Sequence, residues 1–315
     1  MGARGKGRPG GGGRDVLITG VPRGGTTLTV QLLSGLSDCV AVDEPISLAE
    51  FVNGAERRTG PLRSFFGRRR PASATSLDRE RIADNVMQFC SQARDSLLSD
   101  GTVISKHVEG AVSGGRVSDV VDSDGKRVRF EQRGSIRIDK PLSSEFTLYV
   151  KQNSRFAAIL PELTARAPVF AVVRNPLAIL ASWNTVAFAV SRGHAGWPER
   201  FDPKLKTELA ARPDVLDRQL YLLDWFFQQI RRYLPTNQVV RYEDIVASKG
   251  TALSVVHPAA SSLHVELTSR NQASIYKSDL MGTLCDRILS TDGSYWSFYE
   301  SQDVKNLISE QGSAG

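Results

Sequence analysis

The stretch that most constrains this chain is DVLITGVPRGGTTLTVQLLSG, residues 15 to 35. Asp15 to Thr19 form a mostly branched, apolar run, which suits a strand buried on both faces of a parallel sheet. Gly20-Val-Pro-Arg-Gly-Gly25 predicts a tight turn. Thr26 and Thr27 then open a helix that turns Leu28, Val30, Leu32 and Leu33 toward the sheet, with Gly35 as its stop. Such a strand, glycine loop and helix N-terminus aim unpaired backbone N–H groups and the helix dipole at one point, a place for an anion. Loops that hold nucleoside triphosphates read G-x-x-x-x-G-K-[ST]. Here Gly20 and Gly25 keep that interval, but Thr26 stands in place of the lysine. The cation is Arg23, inside the loop.

Two further strand ends carry candidate chemistry. Cys39 to Val42 predicts a strand that ends in Asp43-Glu44-Pro45. Carboxylates at the end of a strand beside a phosphate loop fall in the crevice where α/β proteins bind ligands. Three readings stay open there: Asp43 as a magnesium-holding acid, Glu44 as a general base, or a capping acid for a helix over residues 46 to 53. Farther on, Thr147 to Val150 reads as a strand ending in Lys151. Phe156 to Leu163 reads as helix and Val169 to Val173 as the next strand, a β-α-β unit with a right-handed crossover. That last strand runs into Arg174-Asn-Pro-Leu-Ala-Ile-Leu-Ala-Ser182-Trp183. Pro176 suits a first helical turn, and Ser182 follows Arg174 by eight residues, a little over two turns.

The loop P-R-G-G-T-T, residues 22 to 27, resembles the 5′-phosphosulfate loop of sulfotransferases, whose donor is 3′-phosphoadenosine-5′-phosphosulfate (PAPS). An arginine followed by Asn-Pro, with a serine eight residues on, is similar to the family's 3′-phosphate site. The interval from Arg23 to Glu44 resembles that between loop arginine and catalytic glutamate in tyrosylprotein sulfotransferases. The resemblance spans residues 15 to 45 and 146 to 244. It implies a P-loop-like, three-layer α/β core around a central parallel sheet, with PAPS as donor, adenosine 3′,5′-bisphosphate as product and no metal. It also implies sulfuryl transfer to an acceptor hydroxyl by in-line displacement. On this resemblance Glu44 is the base, and Arg23 with Lys151 stabilises charge on the departing oxygen. Arg23, Gly24, Gly25, Thr26 and Thr27 hold the 5′ end. Arg174 and Ser182 hold the 3′-phosphate, with Arg270 in a basic segment (Ser269-Arg270-Asn271, then Tyr276-Lys277) returning to it. Cytosolic sulfotransferases carry Lys-x-His near the position of Lys106 and His107, which makes His107 a rival base. Here the two are adjacent, and neighbours on an extended segment point to opposite faces.

The rest of the chain frames these sites. A formal net charge of +6 suits polyanionic ligands without selecting nucleic acid. Cys39, Cys90 and Cys285 lie far apart and outside metal-ligand spacing, which predicts buried thiols in a reducing cytoplasm. Residues 1–14 read as a disordered basic tail, 15–309 as one domain and 310–315 as a second disordered tail. No run is long enough for a membrane span. Within the domain, residues 55–75 form an arginine-rich loop around Phe65 and Phe66. A long helix follows, carrying Ile82, Val86, Phe89, Cys90, Ala93 and Leu97 on one face. Residues 109–145 read as a β insertion with a hairpin around Gly125, placed to shape an acceptor pocket. Residues 184–212 read as loop, 215–234 as a core helix and 238–244 as a strand, with Glu243 and Asp244 as caps. The partner expected is a small-molecule or peptide hydroxyl acceptor, with no nucleic acid and no membrane. The other readings are an ATP-dependent kinase that uses Asp43 for magnesium, and a basic anion- or RNA-binding protein.

Overall fold

The computed structural model describes residues 14–54, 78–110, 117–123, 125–129, 131–271, 273, 275–276 and 278–312. Residues 1–13 of the expected basic tail, the arginine-rich stretch 55–75, Phe130, Lys277 and residues 313–315 lie outside the described residues, whereas Arg14 opens a strand and residues 310–312 end a helix where tails were expected. The strands are β1 (Arg14–Gly20), β2 (Cys39–Asp43), β3 (Thr102–His107), β4 (Val117–Val121), β5 (Arg127–Arg129), β6 (Gln132–Arg137), β7 (Thr147–Lys151), β8 (Val169–Val173) and β9 (Val239–Arg241). Between and after them come the helices α1 (Thr26–Ser34), α2 (Leu48–Asn53), α3 (Arg79–Ser99), α4 (Ser154–Ala158), α5 (Leu160–Thr164) and α6 (Pro176–Asn184). The remaining helices are α7 (Pro198–Phe201), α8 (Pro203–Ala210), α9 (Val215–Tyr233), α10 (Tyr242–Ala247), α11 (Ser278–Leu289) and α12 (Ser301–Gly312).

Five strands form one sheet in the order β2-β7-β1-β8-β9, every neighbouring pair parallel. Strand residues alternate between two apolar cores because side chains on a strand point to opposite faces in turn. Leu17, Val40, Val42, Leu148, Val150, Ala171 and Val173 face a core built with α3, α6 and α9. Val16, Ile18, Ala41, Tyr149, Val172 and Val240 face a second core with Val30 and Leu33 of α1 and Ile245 of α10. Helices on both faces of a parallel sheet make a three-layer α/β fold, as the continuous apolar strands predict. The face of α3 named from the sequence, Ile82 through Leu97, is buried as a unit. All three cysteines are free and buried. Among the described residues, no helix is long and apolar enough to cross a membrane.

The differences from expectation have local causes. The helix expected over 156–163 is broken at Ile159 (φ −129°) into α4 and α5. Pro161 has no N–H to donate to the carbonyl of Ala157 and so cannot continue the first helix, whereas in the first turn of α5 it needs none. The region after Asn184 is not all loop, since Pro198 and Pro203 each open a short helix, a position that needs no N–H. The strand expected over 238–244 stops at Arg241, and Tyr242 begins α10 with Glu243 and Asp244 in its first turn, where the helix dipole favours acids. The β insertion begins earlier than residue 109: β3 pairs antiparallel with β6, and β4 with β5, apart from the main sheet.

Leu148 is fully buried in the middle of the sheet, whereas Leu98 at the end of α3 is 46% exposed. Leu148→Ala should lower unfolding free energy by about 2–5 kcal/mol in urea titrations, and Leu98→Ala by less than about 0.5 kcal/mol.

Candidate active site

Parallel strands end at one edge, so the chain leaves β1, β2, β7 and β8 on the same side of the sheet. After β1 it turns through Val21 to Gly25. Arg23 takes a left-handed backbone (φ 71°), as does Gly25 (φ 95°). A side chain on Gly25 would place its Cβ 2.5 Å from the ring of Tyr242, so only glycine fits the last step before α1. The indole of Trp183 donates to the carbonyl of Pro22 at 2.8 Å and ties the loop to α6. No side chain caps α1, whereas Asn175 caps α6 and Asp214 caps α9. The first-turn amides of α1 have no intrahelical acceptor and are left for an anion.

Arg23 turns toward α6, where its Nε donates to Ser182 Oγ at 3.0 Å. Ser182 is fully buried and Arg174 nearly so. Arg174 donates from Nη1 to the carbonyl of Arg23 at 3.1 Å, from Nε to Asn271 Oδ1 at 2.7 Å and from Nη2 to the carbonyl of Arg270. Its guanidinium also stacks 4.9 Å from the ring centre of Tyr242. Among the described residues, Arg23 and Arg174 therefore bond neutral acceptors, and no carboxylate cancels either charge directly. Burial first, then Arg127 and Arg174, bring the Arg23 pKa down to about 10, which leaves it charged at neutral pH. Tyr276 meets both Ser182 and Arg174. Burial opposes its ionisation, but the arginines and these bonds hold its pKa below the usual phenol value.

A second cluster lies on the other side of the loop. Glu44 follows β2 in a left-handed conformation (φ 43°), fixed by its N–H bond to the carbonyl of Lys151 at 2.8 Å. Left-handed backbone in such a residue costs about 1–3 kcal/mol and collects at functional sites. Its carboxylate accepts from Lys106 and, at 3.2 Å, from Lys151. Lys151 also pairs with Asp43 at 3.0 Å, and Thr27 donates to the other Asp43 oxygen at 3.1 Å. Burial pushes the Glu44 carboxyl up, but Lys151 and then Lys106 overcome it and hold the group well below the usual carboxylate range.

Arg23, Gly24, Gly25, Thr26, Thr27, Arg174 and Ser182 thus line one site, with Glu44 and Lys151 beside it. Lys151 is 3% exposed and lies between two carboxylates, a position that fixes Glu44 in place. His107 is not brought to the cluster. Its Nδ1 accepts from the N–H of Gly110 at 3.0 Å, and its ring packs on Gly134 across the β3–β6 pair. The neighbour Lys106 reaches Glu44 instead, as the alternation along a strand allows. Arg270 contributes its carbonyl, while its side chain is exposed. Glu243 is not a cap. Its carboxylate accepts from the N–H of Asn175 (2.9 Å), from Asn271 Nδ2 (2.8 Å) and from the hydroxyl of Tyr299 (2.8 Å), so it orients the residue that orients Arg174. Asn271 and Tyr276, from the segment expected to return here, bond Arg174, while Tyr242 and Arg127 complete the site without having been assigned roles from sequence. Comparison with known proteins finds no family model that matches the chain and no matching curated relative.

The folded-state pKa of Glu44 lies below the unfolded value of about 4.3. Its ionised form therefore contributes stability that is complete above that value and is lost as pH falls toward the folded-state pKa. Glu44→Gln should cost roughly 1–3 kcal/mol at neutral pH. In denaturation curves taken from neutral pH into the acid range, the gap from wild type should narrow below the unfolded value. A gap that does not change with pH would show that the lysines do not hold an ionised carboxylate.

Proposed function

We propose that this chain is a PAPS-dependent sulfotransferase that moves a sulfuryl group to an acceptor hydroxyl by in-line displacement. The observation that carries the reading is the Arg23–Ser182 bond. It joins the phosphate-type loop to the Arg174–Ser182 pair across 159 positions of sequence, so the two halves of the donor motif form one anion site. The residues fit such a donor. The uncapped α1 amides and Arg23 suit its 5′ end, and Arg174 with Ser182 suits a second phosphate. Bound there, the donor supplies an electrophilic sulfuryl group on a phosphate leaving group.

The protein's share of the chemistry follows from its charges. Arg23 and the loop amides stabilise negative charge that grows on the leaving phosphate. Arg174 and Ser182 bind away from the reacting atoms, and that binding orients the donor. Glu44 accepts the acceptor's proton, held in register by Lys151 and Lys106. Because these ammonium groups make Glu44 a weak base, the arrangement favours an acidic acceptor hydroxyl such as a phenol over an alkyl alcohol.

Adenosine 3′,5′-bisphosphate should raise the melting temperature without added metal, and more than AMP does, because it binds the native state alone. Greater stabilisation by ATP with magnesium would favour the kinase reading, with Asp43 as the metal acid. With a phenolic acceptor, Glu44→Gln should keep donor affinity while turnover falls by roughly 10²–10⁴-fold. His107→Ala should stay within about threefold of wild type, since its ring faces Gly110 and Gly134.

A further inference from the structure

A third guanidinium reaches the anion site from a segment that carries none of the motifs. We propose that Arg127, delivered by the β4–β5 hairpin, binds the same phosphate as Arg174 and Ser182. Arg127 is 7% exposed, and its Nη2 donates to Thr185 Oγ1 at 2.9 Å and lies 3.5 Å from Ser182 Oγ. That hydroxyl is the one that accepts from Arg23 and meets Tyr276. Arg23 and Arg127 therefore meet at a single fully buried serine, and Arg174 is linked to it through Tyr276, which bonds both.

The placement is fixed by backbone. The N–H of Arg127 donates to the carbonyl of Thr185 at 2.9 Å, and the residue forms a parallel bridge with Val186. Lys126 donates to the carbonyl of Asn184. The hairpin is thus docked on the C-terminal end of α6, one turn beyond Ser182, and its first strand residue turns into the site. Gathering like charges in a low-dielectric pocket is unfavourable, and each guanidinium makes its neighbours harder to keep charged. Tyr276 and Glu131 offset part of that cost at Arg23, and a phosphate dianion offsets more of it, because it accepts several charge-assisted bonds at once. The ligand class is a terminal phosphate monoester. Its identity as the donor's 3′-phosphate rests on the sulfotransferase reading, whereas the binding of a phosphate by Arg127 does not.

The test is calorimetric binding of adenosine 3′,5′-bisphosphate and of AMP to wild type, Arg127→Gln, Arg127→Lys and Thr185→Val, each checked by circular dichroism. Arg127→Gln should weaken adenosine 3′,5′-bisphosphate by about 10–100-fold and AMP by less than about threefold. Arg127→Lys, which keeps charge but not the planar fork, should fall between. Thr185→Val should show a smaller loss of the same selectivity. Equal loss for both ligands, or unchanged affinity in a folded Arg127→Gln, overturns the proposal. Should Arg127→Gln not fold, Arg127→Lys and Thr185→Val decide by the same ratio. If wild type fails to bind adenosine 3′,5′-bisphosphate, the donor assignment falls. Inorganic phosphate titrated into the same variants then judges Arg127 alone: weaker binding to Arg127→Gln upholds it, and equal binding overturns it.

Discussion

The parallel register across β2, β7, β1 and β8 is the constraint on which the rest of the structure depends. Ile18 pairs with Lys151, Asp43 with Lys151, and Gly20 with Val172. These strands therefore stop together, and the residues just past their ends share one crevice. Reversing any one of them would carry its terminal residue to the far edge of the sheet. A parallel sheet needs cover on both faces, and the two apolar cores provide it with α1 on one side and α3, α6 and α9 on the other. The same helices then bring their ends to the crevice. Packing and site geometry are consequences of one hydrogen-bond ladder.

Charge in the crevice is divided. On the β2–β7 side two carboxylates and two lysines alternate, from Asp43 through Lys151 to Glu44 and Lys106. On the β8 side three arginines gather around hydroxyl, carboxamide and carbonyl oxygens. The first cluster pairs opposite charges, with Glu131 a further partner of Lys106 at 3.9 Å, and fixes a carboxylate in position. The second concentrates positive charge, with Tyr276 and the carboxylate of Glu131 favouring the charged form of Arg23. Breaking the buried Lys151–Asp43 pair would strand a charge away from solvent, so this cluster is structurally demanding. The uncapped α1 N-terminus lies between the two.

Much of this was legible because it is local. The strand, loop and helix of residues 15–35, the strand ends at Asp43 and Lys151, and the spacing of Arg174 and Ser182 are all short-range patterns, and they survive into the structure nearly residue for residue. The choice between Lys106 and His107 was not legible. Alternation says that two neighbours diverge but not which of them faces Glu44. Arg127 gave no signal either, because its partners Ser182 and Thr185 lie 55 and 58 positions away. Glu243 looked like a cap because an acid in a first helical turn ordinarily is one. Its actual partners come from β8's loop and from the C-terminal part of the chain.

That Glu243 carboxylate has a consequence for how the molecule is made. It links Asn175 and Asn271 to Tyr299, and the carbonyl of Asp303 holds the side chain of Asn175. Arg174 is thus steadied by residues that leave the ribosome long after it does. Synthesis proceeds from the N-terminus at about 5–20 residues per second. The sheet can assemble once β9 emerges, yet the arginine site stays unfinished until residue 303 follows. For several seconds, a nascent chain has its fold's centre in place and its anion site still open.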